Sequence, residues 1–439
     1  MRAESIDPVT GLGNASDLRA ALEVRAAAPG GLSGCGLILL DLDGFHRVNV
    51  RSGFEAGDAL LRSVAARLTE GQPDGSPDAA ARSVARVSAD EFAVLIDADE
   101  VELAAHADRA RAATSEAHAS VTACVGYASG AEGDTPQDLV LRAGAALRSA
   151  RRHGPDSIAG DADAAVGSSL AEQEDLEVRT ALRLGEYELH HLPIVRLADG
   201  RPVGVETLVR WRREHGALVA PGSFLPFVRR SGLAAEFGAH VLEQAATEWV
   251  AALRDAVAAA TEPVGATPLL SINIDGEQAE QEGFDTLVLH LLQRCGVRPD
   301  EVMLEVTEGV LDRPSVTERL VRLREAGVRI SLDDFGSGPI VLARMRELPL
   351  DVIKVDQTLV GALDPQDPDV SLIADILQLA SLLGLQVAVE GVETPLLVER
   401  LRTIGIPLAQ GFHFGRPCPA DELVERLRAG HQAVGDAIG

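Results

Sequence analysis

From residue 189 onward the sequence repeats one pattern: a short apolar run, then a longer stretch with mostly helical spacing. The runs are 189–195, 203–209, 269–274, 302–306, 328–332, 352–355, 386–389 and 408–414. Each is too short for a helix of ordinary length and rich in β-branched or aliphatic residues, as buried strands are. One interval shows its punctuation clearly, with Pro314 near the start, Val316, Leu320 and Leu323 on one helical face, and Gly327 past the end. Eight strands alternating with helices over about 250 residues predict a (β/α)8, TIM-like barrel, in which functional residues gather at the C-terminal ends of the strands.

The residues where these runs stop are Glu206 in VGVETLVRW, Asn273 in LLSINI, Glu305 and Glu308 in LEVTEG, and Asp333 and Asp334 in SLDDFGSG. They continue with Lys354 and Asp356 in IKVD, Glu390 and Glu393 in AVEGVET, and Gln410 in QGFHFGRP. Taken singly, each has an ordinary explanation: Glu206 could cap a helix, and Asp333 and Asp334 could pair with Arg329 or Arg344. Taken together, acids at the ends of five runs converge on one mouth if the barrel closes. Carboxylates that close repel one another unless protonated or bound to cations. All-oxygen donors suit Mg2+ or Mn2+.

Charge narrows the partners. With 40 basic and 67 acidic residues the net charge is −27, which argues against coating a nucleic-acid polymer. Lys354 is the sole lysine, and the three asparagines, Asn14, Asn49 and Asn273, all fall inside motifs. The cysteines Cys35, Cys124, Cys295 and Cys418 form no CxxC pair, which fits a reducing compartment and offers no zinc-site spacing. No apolar stretch reaches the length of a membrane span, and the first residues do not read as a signal peptide, so the expectation is a cytoplasmic chain without membrane insertion.

The preceding part has a different, α+β pattern. Strand-like runs at 37–42, 92–96 and 121–127 are interleaved with helical patterns at 15–28, 56–68, 101–117 and 136–150. A stretch rich in Gly, Asp, Ala and Ser reads as a linker before a charged helix at 170–184. The expected organisation is a first domain at 5–158, a linker at 159–172 and a second domain at 173–432.

The C-terminal strings, from about residue 170 to 427, resemble the EAL phosphodiesterase domain. The resemblance implies cyclic di-GMP as substrate and linear pGpG as product, with two Mg2+ or Mn2+ ions per site. It places Glu206, Asn273, Glu305 and Asp333 on the first ion, and Asp333, Asp334 and Glu390 on the second. It implies that Lys354 and Glu390 orient or deprotonate the attacking water, supported by Asp356, Glu393 and Gln410. Arg210 would grip a substrate phosphate, and Glu308 would steady the DDFG loop. EAL barrels commonly pair, which implies a homodimer. The chain departs from the family at Leu192, where Gln usually precedes the proline, and at Pro339, Ile340 and Val341, where Tyr and two serines usually follow DDFGSG.

DPVTGLGN at 7–14, LDLDGFHRVN at 40–49 and RVSADEF at 86–92 resemble the GGDEF diguanylate cyclase domain, a palm-like fold. The resemblance assigns Asp41, Asp90 and Glu91 to metals and Asn49 to the guanine. Both motif glycines are replaced, by Ser88 and Ala89, whose side chains intrude where the backbone must approach a nucleotide closely. Ala15, Val50 and Arg151 stand where Arg, Asp and Lys are usual, and the inhibitory RxxD position at 79–82 is lost. Cyclase turnover is therefore not expected, and the first domain reads either as a GTP-binding regulator or as a relic. Two alternatives to a working phosphodiesterase stand beside it: a cyclic di-GMP receptor without turnover, and a signalling scaffold acting through protein contacts.

Overall fold

Strand β1 (Cys35–Leu42) is apolar on both faces because helices cover both sides of the sheet it centres. Ile38, Leu40 and Leu42 join one core cluster and Leu37 and Leu39 the other, as alternation requires. The structure, a computed structural model, describes residues 6–70, 82–118, 121–163, 170–213, 216–260, 267–311, 313–335, 345–346, 348–356, 359 and 371–436. The chain divides into two compact units, Met1–Tyr187 with Trp211–Phe237, and Glu188–Arg210 with Gly238–Gly439.

In the first unit, β1, β2 (Arg82–Arg86), β3 (Glu91–Asp97), β4 (Ala123–Ser129) and β5 (Ile158–Gly160) form a sheet of order β2-β3-β1-β4-β5. Strand β1 runs antiparallel to both β3 and β4, and its register sets Asp41 opposite Glu91. The unit's helices include α1 (Ala15–Ala26), α2 (Phe45–Ser52), α3 (Phe54–Thr69), α4 (Glu100–Ala117), α5 (Pro136–His153) and α6 (Leu170–Arg183). Helix α4 starts with a reciprocal cap between Asp99 and Glu102, and α5 with one between Thr135 and Asp138 plus Pro136 in the first turn. Helix α5 lies on β4 because Gly126 leaves room: a Cβ there would stand 2.0 Å from the Leu147 backbone nitrogen. Strands β2 and β5 and helix α2 were not among the sequence expectations. Each is short, and β2 carries Arg at both ends, which hides its apolar alternation.

In the second unit the strands are β6 (Tyr187–Arg196), β7 (Arg201–Arg212), β8 (Leu218–Val219), β9 (Leu269–Asn273), β10 (Val302–Thr307), β11 (Arg329–Phe335), β12 (Val352–Val355), β13 (Gln386–Val389) and β14 (Leu408–Ala409); β8 and the last residues of β7 belong to the first unit. From β7 through β9 to β14 neighbours pair in parallel, β14 pairs with β6, and β6 pairs with β7, closing an eight-stranded barrel. The expected barrel is present with one difference: β6 runs antiparallel to β14. Its cause is local, since only residues 197–200 separate β6 from β7, too few for a parallel crossover. The run expected at 408–414 is a strand only at Leu408–Ala409. Beyond it Gly411, at φ +151°, passes so close to Val392 that a Cβ would stand 2.3 Å from its backbone nitrogen.

Alternation along the barrel strands stacks two unlike layers inside it. Ile194, Met303, Val352, Ala388 and Leu408 make an apolar layer. Two residues further along four of those strands stand Glu305, Lys354, Glu390 and Gln410. The barrel is thus dry at one level and ionic at the next, on the side where the parallel strands end.

All four cysteine thiols are free and pushed upward by burial, Cys35 and Cys124 to about 11. Little thiolate is then present at pH 8. A chromogenic disulfide reagent at that pH should label Cys35 and Cys124 only in step with unfolding; rapid labelling of either in the native protein contradicts the packing described.

Candidate active site

Lys354 is the centre of the ionic layer. It is 1% exposed, and its Nζ lies 3.1 Å from Glu206 Oε2, 2.8 Å from Glu305 Oε2, 2.6 Å from Glu390 Oε1 and 3.6 Å from Asp333 Oδ1. Burial alone would push its ammonium down; the carboxylates, led by Glu206, hold it well above the ordinary lysine range. With every group ionised, one positive charge would stand against four negative ones, a formal −3 before Asp334 is counted.

The carboxylates divide the response. Burial and then the neighbouring Glu206 drive Glu305 well above the usual carboxylate range. Burial works against Glu206 as well, yet Lys354 and hydrogen bonds from Gln410 and Asn273 keep it below that range. Glu390 is pushed up to about 7 by burial, with Lys354 opposing and Asp333 and Glu206 adding to the rise. Burial and then repulsion from Asp333 and Asp356 raise Asp334.

Neutral donors complete the frame. Asn273 Nδ2 donates to Glu206 Oε1 at 2.9 Å, and Gln410 Nε2 donates to Glu206 Oε2 at 2.5 Å and Glu390 Oε1 at 2.9 Å. Ser271, fully buried, donates its hydroxyl to Glu305 Oε1 at 2.5 Å. Sequence reasoning missed Ser271. Its signal was a hydroxyl two residues before Asn273, hence on the same inward face of a run that is otherwise apolar up to Asn273.

The structure therefore brings together Glu206, Asn273, Glu305, Asp333, Lys354, Glu390 and Gln410, drawn from seven strands or strand ends. Asp334 adjoins them: one oxygen each from Asp333, Asp334 and Glu390 lie within 4.8 Å of one another. Asp334 adopts φ +55°, a left-handed conformation that Asp tolerates better than most residues. Other expected residues stand further out. Arg210 is half-buried near the end of β7 and donates to the Val209 carbonyl at 3.0 Å. Asp356 directly follows β12, and Glu393 is exposed on the loop after β13. Glu308 opens the short helix Glu308–Leu311; its side chain, like Pro339, Ile340 and Val341, lies outside the described residues. Leu192, at the position usually held by Gln, is buried in β6.

The donor set fits hard divalent cations. Its ligands are carboxylate and amide oxygens, its formal charge is negative, and Asp333 Oδ1 and Gln410 Oε1 are buried without a hydrogen-bond partner.

The acidic cluster of the first unit is arranged differently. Asp41 is held in a two-point contact by Arg151 from the last turn of α5, with Nε at 3.2 Å. Glu91 is held by Arg183, the last residue of α6, with Nε at 2.5 Å and Nη2 at 3.0 Å. Burial opposes the charge on Glu91, but Arg183 keeps its carboxyl below the usual range. Burial lifts Asp41 to about 6, Arg151 notwithstanding, and burial followed by repulsion from Asp41 lifts Asp90 well above the usual carboxylate range. Asn49 is half-buried in α2, Ser88 is half-buried and Ala89 exposed in the β2–β3 turn. The remnant of the RxxD position at 79–81 lies outside the described residues.

A closed barrel with carboxylates, one buried lysine and two amides at its C-terminal mouth, following an α+β domain with a DEF hairpin, defines the class of proteins that pair a GGDEF with an EAL domain. The chain belongs to that family: the EAL domain pattern matches residues 175–417 and that of the diguanylate cyclase GGDEF domain residues 4–157. Protein Rv1354c of Mycobacterium tuberculosis is 34% identical over 96% of this chain and 68% of its own length. From Pseudomonas aeruginosa, the bifunctional diguanylate cyclase/cyclic di-GMP phosphodiesterase MucR is 30% identical over 88% of this chain and 56% of its own length, and the cyclic di-GMP phosphodiesterase NbdA is 33% identical over 90% and 50%. Among solved structures, the PaMucR phosphodiesterase in complex with c-di-GMP is 32% identical, with a TM-score of 0.51 over 57% of this chain and 99% of its own. No helix among the described residues is long and apolar enough to cross a membrane.

Proposed function

We propose that the barrel of this chain hydrolyses cyclic di-GMP to linear pGpG with divalent metal ions, and that the first domain does not make cyclic di-GMP. The observation that carries the reading is the Lys354-centred ionic layer at the strand ends, supported by similarity to MucR and NbdA.

Glu206, Asn273, Glu305 and Asp333 would hold one ion, and Asp333, Asp334 and Glu390 a second; when bound, such a pair supplies Lewis acidity for hydrolysis at phosphorus. The chain's own groups do the rest. Gln410 fixes Glu206 and Glu390 relative to each other. Lys354, held as an ammonium, presents one point charge toward the nucleophile and a phosphoryl oxygen and orients the water, and Glu390 takes the water's proton. The water oxygen bonds to phosphorus, the bond to the sugar oxygen breaks, and the proton taken by Glu390 passes to that oxygen as it leaves. Arg210, without a carboxylate partner in the hydrogen bonds described, is suited to a substrate phosphate.

Incubating the purified chain with cyclic di-GMP and Mg2+ or Mn2+ should give pGpG by chromatography, and Glu206→Ala should lower the rate by on the order of 10²–10³-fold or more. Leu192 favours a second reading, a receptor that binds without turnover, because a buried leucine cannot supply the amide hydrogen bond usual at that position. Saturable binding with no pGpG would establish it, and neither binding nor product would favour a scaffold. A homodimer through the barrel remains part of the proposal, to be read by the mass of the chain in solution.

A further inference from the structure

Two guanidinium groups already engage the carboxylates that, in the GGDEF resemblance, would hold metal in the first unit. Asp41 and Glu91 face each other across β1 and β3, a pairing of like charges that destabilises a sheet unless something neutralises it. Arg151 takes Asp41 and also approaches Glu91 at 3.8 Å, while Arg183 takes Glu91 through two nitrogens. Arg183 is 2% exposed and Glu91 3%, so this pair is desolvated on both sides. Its path is built in. Arg183 crosses α5 at Gly144, where a Cβ would stand 2.3 Å from Nη1, so a side chain at that position would displace the guanidinium. Neighbouring contacts hold α6 in the same unit, with Leu176, Val178, Ala181 and Leu182 buried and Arg179 bonded to Asp175 at 3.1 Å and Glu236 at 3.2 Å. With Asp41 and Glu91 paired to arginines and the motif glycines replaced by Ser88 and Ala89, the site does not fit a metal–nucleotide complex.

We propose that the vestigial cyclase site serves as the socket of an internal ion-pair bolt, in which Arg183 docks on Glu91 to anchor α6 to the sheet, and that it excludes magnesium–GTP. The first domain thereby has a positive role, which is to fix the helix from which the chain passes directly into β6.

The bolt is read by a double-mutant cycle on the full-length chain, following hydrogen exchange of residues 170–183 and the thermal unfolding midpoint. Breaking a buried pair from one side strands a charge, so Arg183→Met should speed exchange of that segment by on the order of 10²-fold and lower the midpoint. Adding Glu91→Gln to it should recover more than half of both losses, because the stranded carboxylate is gone. Equal losses in the single and double variants, or no loss in Arg183→Met, overturn the bolt. Should Arg183→Met fail to give soluble protein, Glu91→Gln alone reads the same pair, with faster exchange of 170–183 supporting it and unchanged exchange overturning it. Calorimetric titration of the wild-type chain with Mg2+ and GTP should show no saturable heat; saturable binding that protects residues 35–42 and 91–97 from exchange overturns the exclusion.

Discussion

Replacing Lys354 by Met should abolish pGpG formation, a loss on the order of 10³-fold or more, and should make folding of the barrel depend on divalent metal. The ammonium is the one basic side chain in contact with Glu206, Glu305, Asp333 and Glu390 in the ion pairs described. Removing one partner of a buried ionic contact costs about 3–5 kcal/mol, because the other is left charged and desolvated. Lys354→Met strands several carboxylates together, so in chelator the unfolding midpoint should fall sharply. Adding Mn2+ should restore much of it, since a hard cation answers the same negative charge. The wild-type chain should behave oppositely: chelation stops turnover but shifts the midpoint little, because Lys354 offsets part of the acids' charge and protonation of Glu305 relieves more. Lys354→Arg should keep the fold and lose most activity, since a planar fork cannot replace a point charge among carboxylates. Near-normal turnover in either variant would remove Lys354 from the mechanism.

The same electrostatics sets a pH dependence for the metal-free protein. Glu390 sits at about 7 in the folded chain, above its ordinary value of 4.5. A raised carboxyl means that the folded state binds more protons than the unfolded one, so stability falls as pH rises between those two values. In Lys354→Met the opposing positive charge is gone, the folded value rises further, and the fall should steepen and extend above pH 7. Thermal midpoints from pH 5 to 8 in chelator test this, and a midpoint that rises with pH in the variant contradicts it.

Much of the barrel was legible because period-two alternation and strand ends are both written in the sequence. Met303 and Glu305, Val352 and Lys354, and Ala388 and Glu390 are pairs two apart on one face, apolar first and ionic second, so an inward run ending in charge foretold the ionic layer. Strand direction is not written in alternation, and β6 running antiparallel to β14 followed only from the short turn at 197–200. The first domain's helices α1, α3, α4 and α5 were readable from apolar spacing and caps such as Thr135–Asp138, whereas β2 and β5 are held by pairing with neighbours rather than by a pattern of their own. Ser271 was readable in principle from its place two residues before Asn273. Arg183 was not: an arginine closing an amphipathic helix ordinarily reads as a favourable charge near the C-terminal dipole, and only the fold reveals a carboxylate at its tip.

Asp334→Asn should separate stability from activity. Burial, Asp333 and Asp356 all disfavour the charge on Asp334 in the folded chain. Asparagine removes that charge and, like aspartate, tolerates the φ of +55° observed at this residue. The metal-free midpoint should therefore stay where it is or rise. The Asp333, Asp334 and Glu390 cluster, in contrast, loses one of three anionic oxygens, and hard divalent ions bind chiefly through such charge. Turnover should drop by on the order of 10²–10³-fold, and Mn2+ bound per chain, counted by equilibrium dialysis, should fall by one. Asp334→Ala makes the comparison sharper, because it removes the same ligand but places an alanine at a positive φ and should cost stability that the asparagine variant does not. If Asp334→Asn keeps both its metal count and its rate, the paired-ion reading fails at the second ion while Glu206, Asn273, Glu305 and Asp333 stay available for a single one.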